Sequence, residues 1–107
     1  MKPLFLLILT VFFAGKQCAA QDKTIDSLRL LLSHSNNDTN TVKVLGDISY
    51  YYRLKMPDTG VAYGKRALLL AEKNHWKPGI ARSYNVIGNN YVMLETATIA
   101  WTIIKKR

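Results

Sequence analysis

The chain has 107 residues, 49% of them hydrophobic and 21% charged, with a formal net charge of +8 and one cysteine. That is room for one small domain, with an apolar content typical of globular rather than disordered proteins. It excludes a multidomain enzyme, a polybasic nucleic-acid-binding tail and a disulfide-stapled mini-protein.

Residues 1–20 read as an export signal. Met1 and Lys2 give a short positive start, and an apolar run covers 4–14. Gly15, Lys16 and Gln17 then break the run, and small residues, Cys18 and Ala20, follow. This order predicts a secretory signal peptide cleaved before Gln21. The run is too short for a spanning helix, which takes about 20 residues. Lys16 and Gln17 do not suit a lipid-attachment signal, so Cys18 is read as a small residue near the cleavage point. Cleavage removes Lys2, Lys16 and the cysteine, which lowers the net charge from +8 to +6. No thiol is left for a disulfide, a nucleophile or a metal. The expected destination is the periplasm or cell envelope, with membrane contact only through the signal before cleavage.

The rest reads as helices. Over 24–33, apolar residues at 25, 28, 31 and 32 make an amphipathic stripe. The polar stretch 35–40 is a loop in which Asp38 or Thr39 can cap the next helix. That helix covers about 40–54, with Val44, Leu45, Ile48, Tyr51 and Tyr52 on one broad face. Pro57 ends it. Asp58 is expected to cap a third helix over about 59–74, whose apolar side holds Val61, Leu68 and Ala71, widened by Tyr63, Ala67 and Leu70. Gly60 and Gly64, four apart on that helix, cost about 1 kcal/mol each in propensity. Close helix approach is the reason to keep both. Pro78 suits the first turn of a fourth helix over about 78–94, with Tyr84, Ile87, Gly88 and Tyr91 as its expected inner stripe. No segment alternates with period two, so the expected fold class is all-α.

Catalytic chemistry is not legible. His34 and His75 fall in or beside loops without metal-spaced partners, so no metal and no cofactor are expected. The serines have no nucleophile elbow, no carboxylate pair suggests acid–base work, and no glycine loop could cradle phosphate. The chain is read as not an enzyme. Its positive charges are spread along solvated helix faces. Export also removes nucleic acid from reach, so no nucleic-acid partner is expected. Salt-sensitive binding to anionic membrane is a weaker reading of the same charge.

Shifting the chain by 40 residues overlays Val44 on Tyr84, Ile48 on Gly88, Tyr51 on Tyr91, Leu54 on Leu94 and Gly60 on Ala100. Tyr84, Ile87, Gly88 and Tyr91, followed by Ala100 and Ile104, resemble the tetratricopeptide pattern of aromatic, apolar, small and aromatic positions in a first helix and small positions in a second. In the first unit, Val44, Ile48 and Tyr51 stand at the first-helix positions, and Gly60, Gly64 and Ala67 at the small second-helix positions. The stretch 57–68 resembles the second helix of exported bacterial members of that family. The resemblance covers about 40–107. It implies helix-turn-helix repeats of an α-solenoid fragment: a lead-in helix and polar loop over 21–39, a first hairpin over 40–77 and a second, incomplete unit over 78–107.

Residues 95–107 depart from the pattern. A turn and second helix are expected after Leu94, but the stretch is rich in β-branched residues and has no turn residue. A one-base shift of reading frame near Leu94 accounts for this, because back-translation one base earlier restores a Gly-Asn turn and small and aromatic residues in register. On that reading the chain is a shortened product of a longer frame, and Trp101, Ile103 and Ile104 carry no selected function. Arrays of this kind need about three repeats for stability, so a marginal fold is expected.

The resemblance implies a non-catalytic protein–protein interaction module that binds a protein or peptide partner along its first-helix faces. In that register the outward positions are Leu45, Ser49, Tyr52 and Arg53, then Arg82, Asn85, Asn89 and Met93. Ser49, Tyr52, Arg53, Arg82, Asn85 and Asn89 are the expected partner-binding set. The Lys/Asn carboxylate clamp of chaperone-binding members is not matched. A second implied reading is the truncated sensory region of an envelope signalling regulator, a histidine kinase or transcriptional regulator.

Overall fold

A computed structural model describes residues 22–106. The expected signal peptide, its cleavage site, Cys18 and Arg107 lie outside the described residues. Among those described, the chain is all-α: α1 covers 22–33, α2 Thr39–Tyr52, α3 Pro57–Lys73 and α4 Lys77–Lys105.

The helix boundaries follow local chemistry. Asp38 is extended, and its Oδ1 accepts the Thr41 N–H at 3.1 Å, a side-chain cap for α2. α3 opens on Pro57 in its first turn, so Met56 is the N-cap, with no side-chain bond. Asp58, expected as the cap, instead sits inside the first turn, where its charge favours the helix N-terminus. The end of α3 is a Schellman motif. The Trp76 N–H donates to the Ala71 carbonyl at 2.9 Å and the His75 N–H to the Glu72 carbonyl at 3.1 Å. His75 takes the left-handed position, φ 50°, that glycine usually fills there. The same turn tucks Trp76 against the cluster of Val42, Leu45, Ala67 and Ala71.

α2 lies at the centre. α1 runs antiparallel to it, burying Ile25 against Ile48 and Tyr52. The Lys55–Asp22 pair, 2.5 Å apart, fixes that end. The Lys55 ammonium is held above its ordinary pKa, first by its hydrogen bond to Asp22. α3 returns antiparallel along α2 through Val61, Ala67 and Ala71. Tyr63 stacks on Tyr52, with ring centroids 5.7 Å apart.

α4 lies against both α2 and α3, and glycines set the approach. A Cβ on Gly60 would overlap the Asn90 side chain, and one on Gly64 would come within 2.7 Å of Ile87 Cγ1 and 3.1 Å of Ser49 Oγ. The paired glycines are therefore there for close packing, as their spacing suggests. Asn90 is fully buried at this junction. Its Nδ2 donates to the carbonyls of Ser49 (3.0 Å) and Val86 (2.8 Å), and Ser49 Oγ donates to the Gly60 carbonyl at 2.6 Å. Asn90 Oδ1 has no conventional partner. It faces the Gly60 Cα–H that stands where a Cβ would be, a weak C–H···O contact.

Two expectations for α4 are corrected. The buried stripe is Gly79, Ser83, Val86 and Asn90. Of the expected stripe only Ile87 packs inward. Tyr84 and Tyr91 are 58% and 49% exposed, and Gly88 has open space beside it. The notches at Gly60 and Gly64 decide which face turns inward, and they receive Asn90 and Ile87 rather than the tyrosines. The helix also does not end near Leu94. It continues to Lys105, with Thr96, Thr98 and Thr102 hydroxyls donating to carbonyls four residues back at 2.8–2.9 Å. No glycine or proline interrupts it there, so nothing forces a turn. Because Asn90 sits opposite Gly60, near the start of α3, and Met93 and Leu94 are the last half-buried positions, residues 95–105 of α4 overhang the body by about 16 Å. Every described residue from Glu95 onward is exposed.

Candidate functional site

Of the six expected partner-binding residues, the structure assembles three. Arg82, Asn85 and Asn89 stand on one side of α4 and line a cleft of about 470 Å³ with Asp47, Tyr50 and Tyr51 of α2 and Thr24 and Leu28 of α1. Steps of three and four along α4 put these side chains in a row, and the α2 residues form the opposite wall.

Arg82 is fixed at the cleft edge. One guanidinium nitrogen pairs with Asp47, and the other donates to the Lys43 carbonyl at 3.4 Å. The guanidinium passes over Gly46, where even an added Cβ would make only ordinary contact with it at 3.5 Å. The pair is about 40% exposed on both sides, so its net contribution to stability is small, of the order of 0–1 kcal/mol. What it provides is orientation: a planar cation with donors facing the cleft. Asn85 and Asn89, four apart, each offer an amide donor and an acceptor. That pairing matches the alternating N–H and C=O groups of an extended backbone. Tyr50 and Tyr51 meet edge to face at 5.5 Å and supply aromatic surface.

The other three expected residues differ. Ser49 and Tyr52 are corrected from outward to buried: Ser49 is closed in by Gly60 and Asn90, and Tyr52 lies in the α1 cluster stacked on Tyr63. Leu45 is likewise core, and Met93 is half-buried. The physical reason is that α2 is packed by three helices, so few of its faces remain open. Arg53 is accessible but stands outside the cleft lining. It donates to the Tyr50 carbonyl at 2.9 Å and lies 3.7 Å from the centre of that ring, so it braces a cleft residue.

The residues that sequence reasoning missed are Asp47, Tyr50 and Tyr51, and Thr24 and Leu28 from the lead-in helix. None of them carries a sequence signal of its own; they reach the cleft through the packing of α1 and α4 on α2. A second recess of about 360 Å³, between α1, α2 and α3, includes Leu32, Asn37, Arg66 and Lys73, none of them in the expected set. Among the described residues, no group of three or more His, Cys, Asp or Glu could hold a metal ion. No helix among them is long and apolar enough to cross a membrane. Compared with protein-family models, curated proteins and solved structures, the chain matches none.

Proposed function

We propose that the chain is a non-catalytic, exported protein-interaction module of tetratricopeptide type, and that it holds an extended peptide in the cleft between α1, α2 and α4. The observation that carries this reading is the convergence of Arg82, Asn85 and Asn89 with Asp47, Tyr50 and Tyr51 around one cleft. The amides grip backbone groups, Arg82 takes an acceptor such as a carboxylate or carbonyl, and the tyrosines cover an apolar or aromatic side chain. The antiparallel α2–α3 hairpin supports the first unit of this reading.

The test uses a displayed library of random extended peptides, with affinities of the selected peptides measured by calorimetry. Asn85→Ala with Asn89→Ala removes the proposed backbone contacts. Each hydrogen bond contributes about 0.5–1.5 kcal/mol, so the double variant should bind roughly tenfold or more weakly. Both positions are surface-accessible, and the melt of the variant should match the parent. Failure to select any peptide, or selected peptides that bind the double variant undiminished, would sink the reading.

A further inference from the structure

The recess of about 360 Å³ between α1, α2 and α3 shares no lining residue with the peptide cleft. Its character comes from α3. Arg66, Leu69, Leu70 and Lys73 follow helical spacing, so they form one stripe along that helix. The stripe runs cation, leucine, leucine, cation. Buried Leu45 of α2 and half-buried Leu32 of α1 continue the apolar lining. Leu69 is 68% exposed although it borders this recess, so it has apolar surface to offer a ligand.

The two cations are unanswered. No acidic residue is among the described residues that line the recess. The ion pairs among the described residues join Lys55 to Asp22 and Arg82 to Asp47, which leaves Arg66 and Lys73 without one. Asp38, at the start of α2, turns its Oδ1 to the Thr41 N–H. Glu72 projects about 100° round α3 from Lys73 and does not line the recess. The Arg66 guanidinium lies 5.4 Å from the centre of the Tyr63 ring, which steadies it without neutralising it.

The spacing of the cations sets a length. The seven-residue step puts Arg66 and Lys73 about 10.5 Å apart along α3. At about 1.25 Å per bond, the seven C–C bonds of octanedioate put its carboxyl carbons about 9 Å apart. A chain of that length lays its methylenes over the leucines and brings a carboxylate to each cation. The fork of Arg66 suits one carboxylate in bidentate fashion, and Lys73 meets the other as a point charge. A monocarboxylate leaves one cation unanswered. A short dicarboxylate cannot reach both ends and cover the leucines.

We propose that this recess binds an aliphatic α,ω-dicarboxylate of medium chain length, with Arg66 on one carboxylate and Lys73 on the other. The site is independent of the peptide cleft and of whatever that cleft holds.

Calorimetry of the chain at pH 7 with octanedioate, octanoate and butanedioate tests it, with amide NMR to place the ligand. Octanedioate should bind and move the amide signals of Leu69 and Leu70. Octanoate, which lacks one carboxylate, should bind roughly fivefold or more weakly. Butanedioate, which lacks most of the methylenes, should bind roughly tenfold or more weakly. Arg66→Gln and Lys73→Gln should each weaken octanedioate to about the level of octanoate. Both side chains are exposed, so the variants should melt with the parent. No binding of octanedioate into the millimolar range would overturn the proposal, as would octanoate binding equally well, which names a fatty acid as the occupant. So would affinity indifferent to both variants, or shifts confined to Arg82 and Asn85, which place the anion in the other cleft.

Discussion

At Gly60 a single hydrogen atom sets the distance between α3 and α4. Any side chain there collides with Asn90, which donates to two carbonyls and cannot withdraw without leaving its own buried amide N–H groups unpaired. Gly60→Ala should therefore destabilise the chain by about 1–3 kcal/mol, although alanine is the better helix former. Gly88→Ala is the internal contrast. It faces open space within the same class of helix, so it should stabilise by about 0.5–1 kcal/mol. Urea midpoints of the two variants decide the matter, and equal shifts would refute the packing role. The spacing of Gly60 and Gly64 made their purpose legible in the sequence. It could not reveal that the group filling the notch is a polar amide, because Asn90 reads as ordinary helix surface until α2 and α3 close around it.

The helices themselves were largely legible. Asp38, Pro57 and Pro78 punctuate the chain, and the starts of α2, α3 and α4 lie at or within two residues of those marks. The inward face of α4 was not legible. Two faces compete on that helix. The tyrosine face carries more apolar surface, but the other fits the glycine notches, and only the neighbouring helices distinguish them. The end of α4 was misjudged because a turn was expected from the repeat pattern, while the residues from Glu95 onward contain nothing that breaks a helix. That exposed segment makes a testable element. A chain ending at Thr96 should lose helical circular dichroism in proportion to the residues removed. Its unfolding free energy from urea titration should stay within about 0.5 kcal/mol of the parent, as for changes away from packed structure. A large fall would mean that the overhang supports the body.

The body formed by the described residues is thinly packed. Among them the buried apolar side chains are few, and two of these are alanines. Small domains bury a modest share of their surface and are stable by only a few kcal/mol. The chain should therefore show no cooperative thermal transition above about 60 °C, toward the upper end of ordinary mesophilic domains. A sharp transition above that temperature would mean that association or a bound partner contributes much of the stability. The all-α class was readable from periodicity alone. The cleft was readable only in part, since Arg82, Asn85 and Asn89 follow from one helix whereas Asp47, Tyr50 and Tyr51 join them through the packing of α2 against α4. Ser49 and Tyr52 failed for the same cause: a central helix has almost no outside.

The two tryptophans fall on opposite sides of this division. Trp76 is half-buried against the core cluster that includes Ala71, with the Lys43 ammonium 5.8 Å from its ring centre, while Trp101 stands 64% exposed on the overhang. The chain thus carries two intrinsic optical reporters, one for its interior and one for its projecting arm. Acrylamide should quench the arm's indole far more readily than the core's. Anything that comes to lie along α4 would shield Trp101 and shift its emission to the blue, leaving Trp76 as the unchanged reference within the same spectrum.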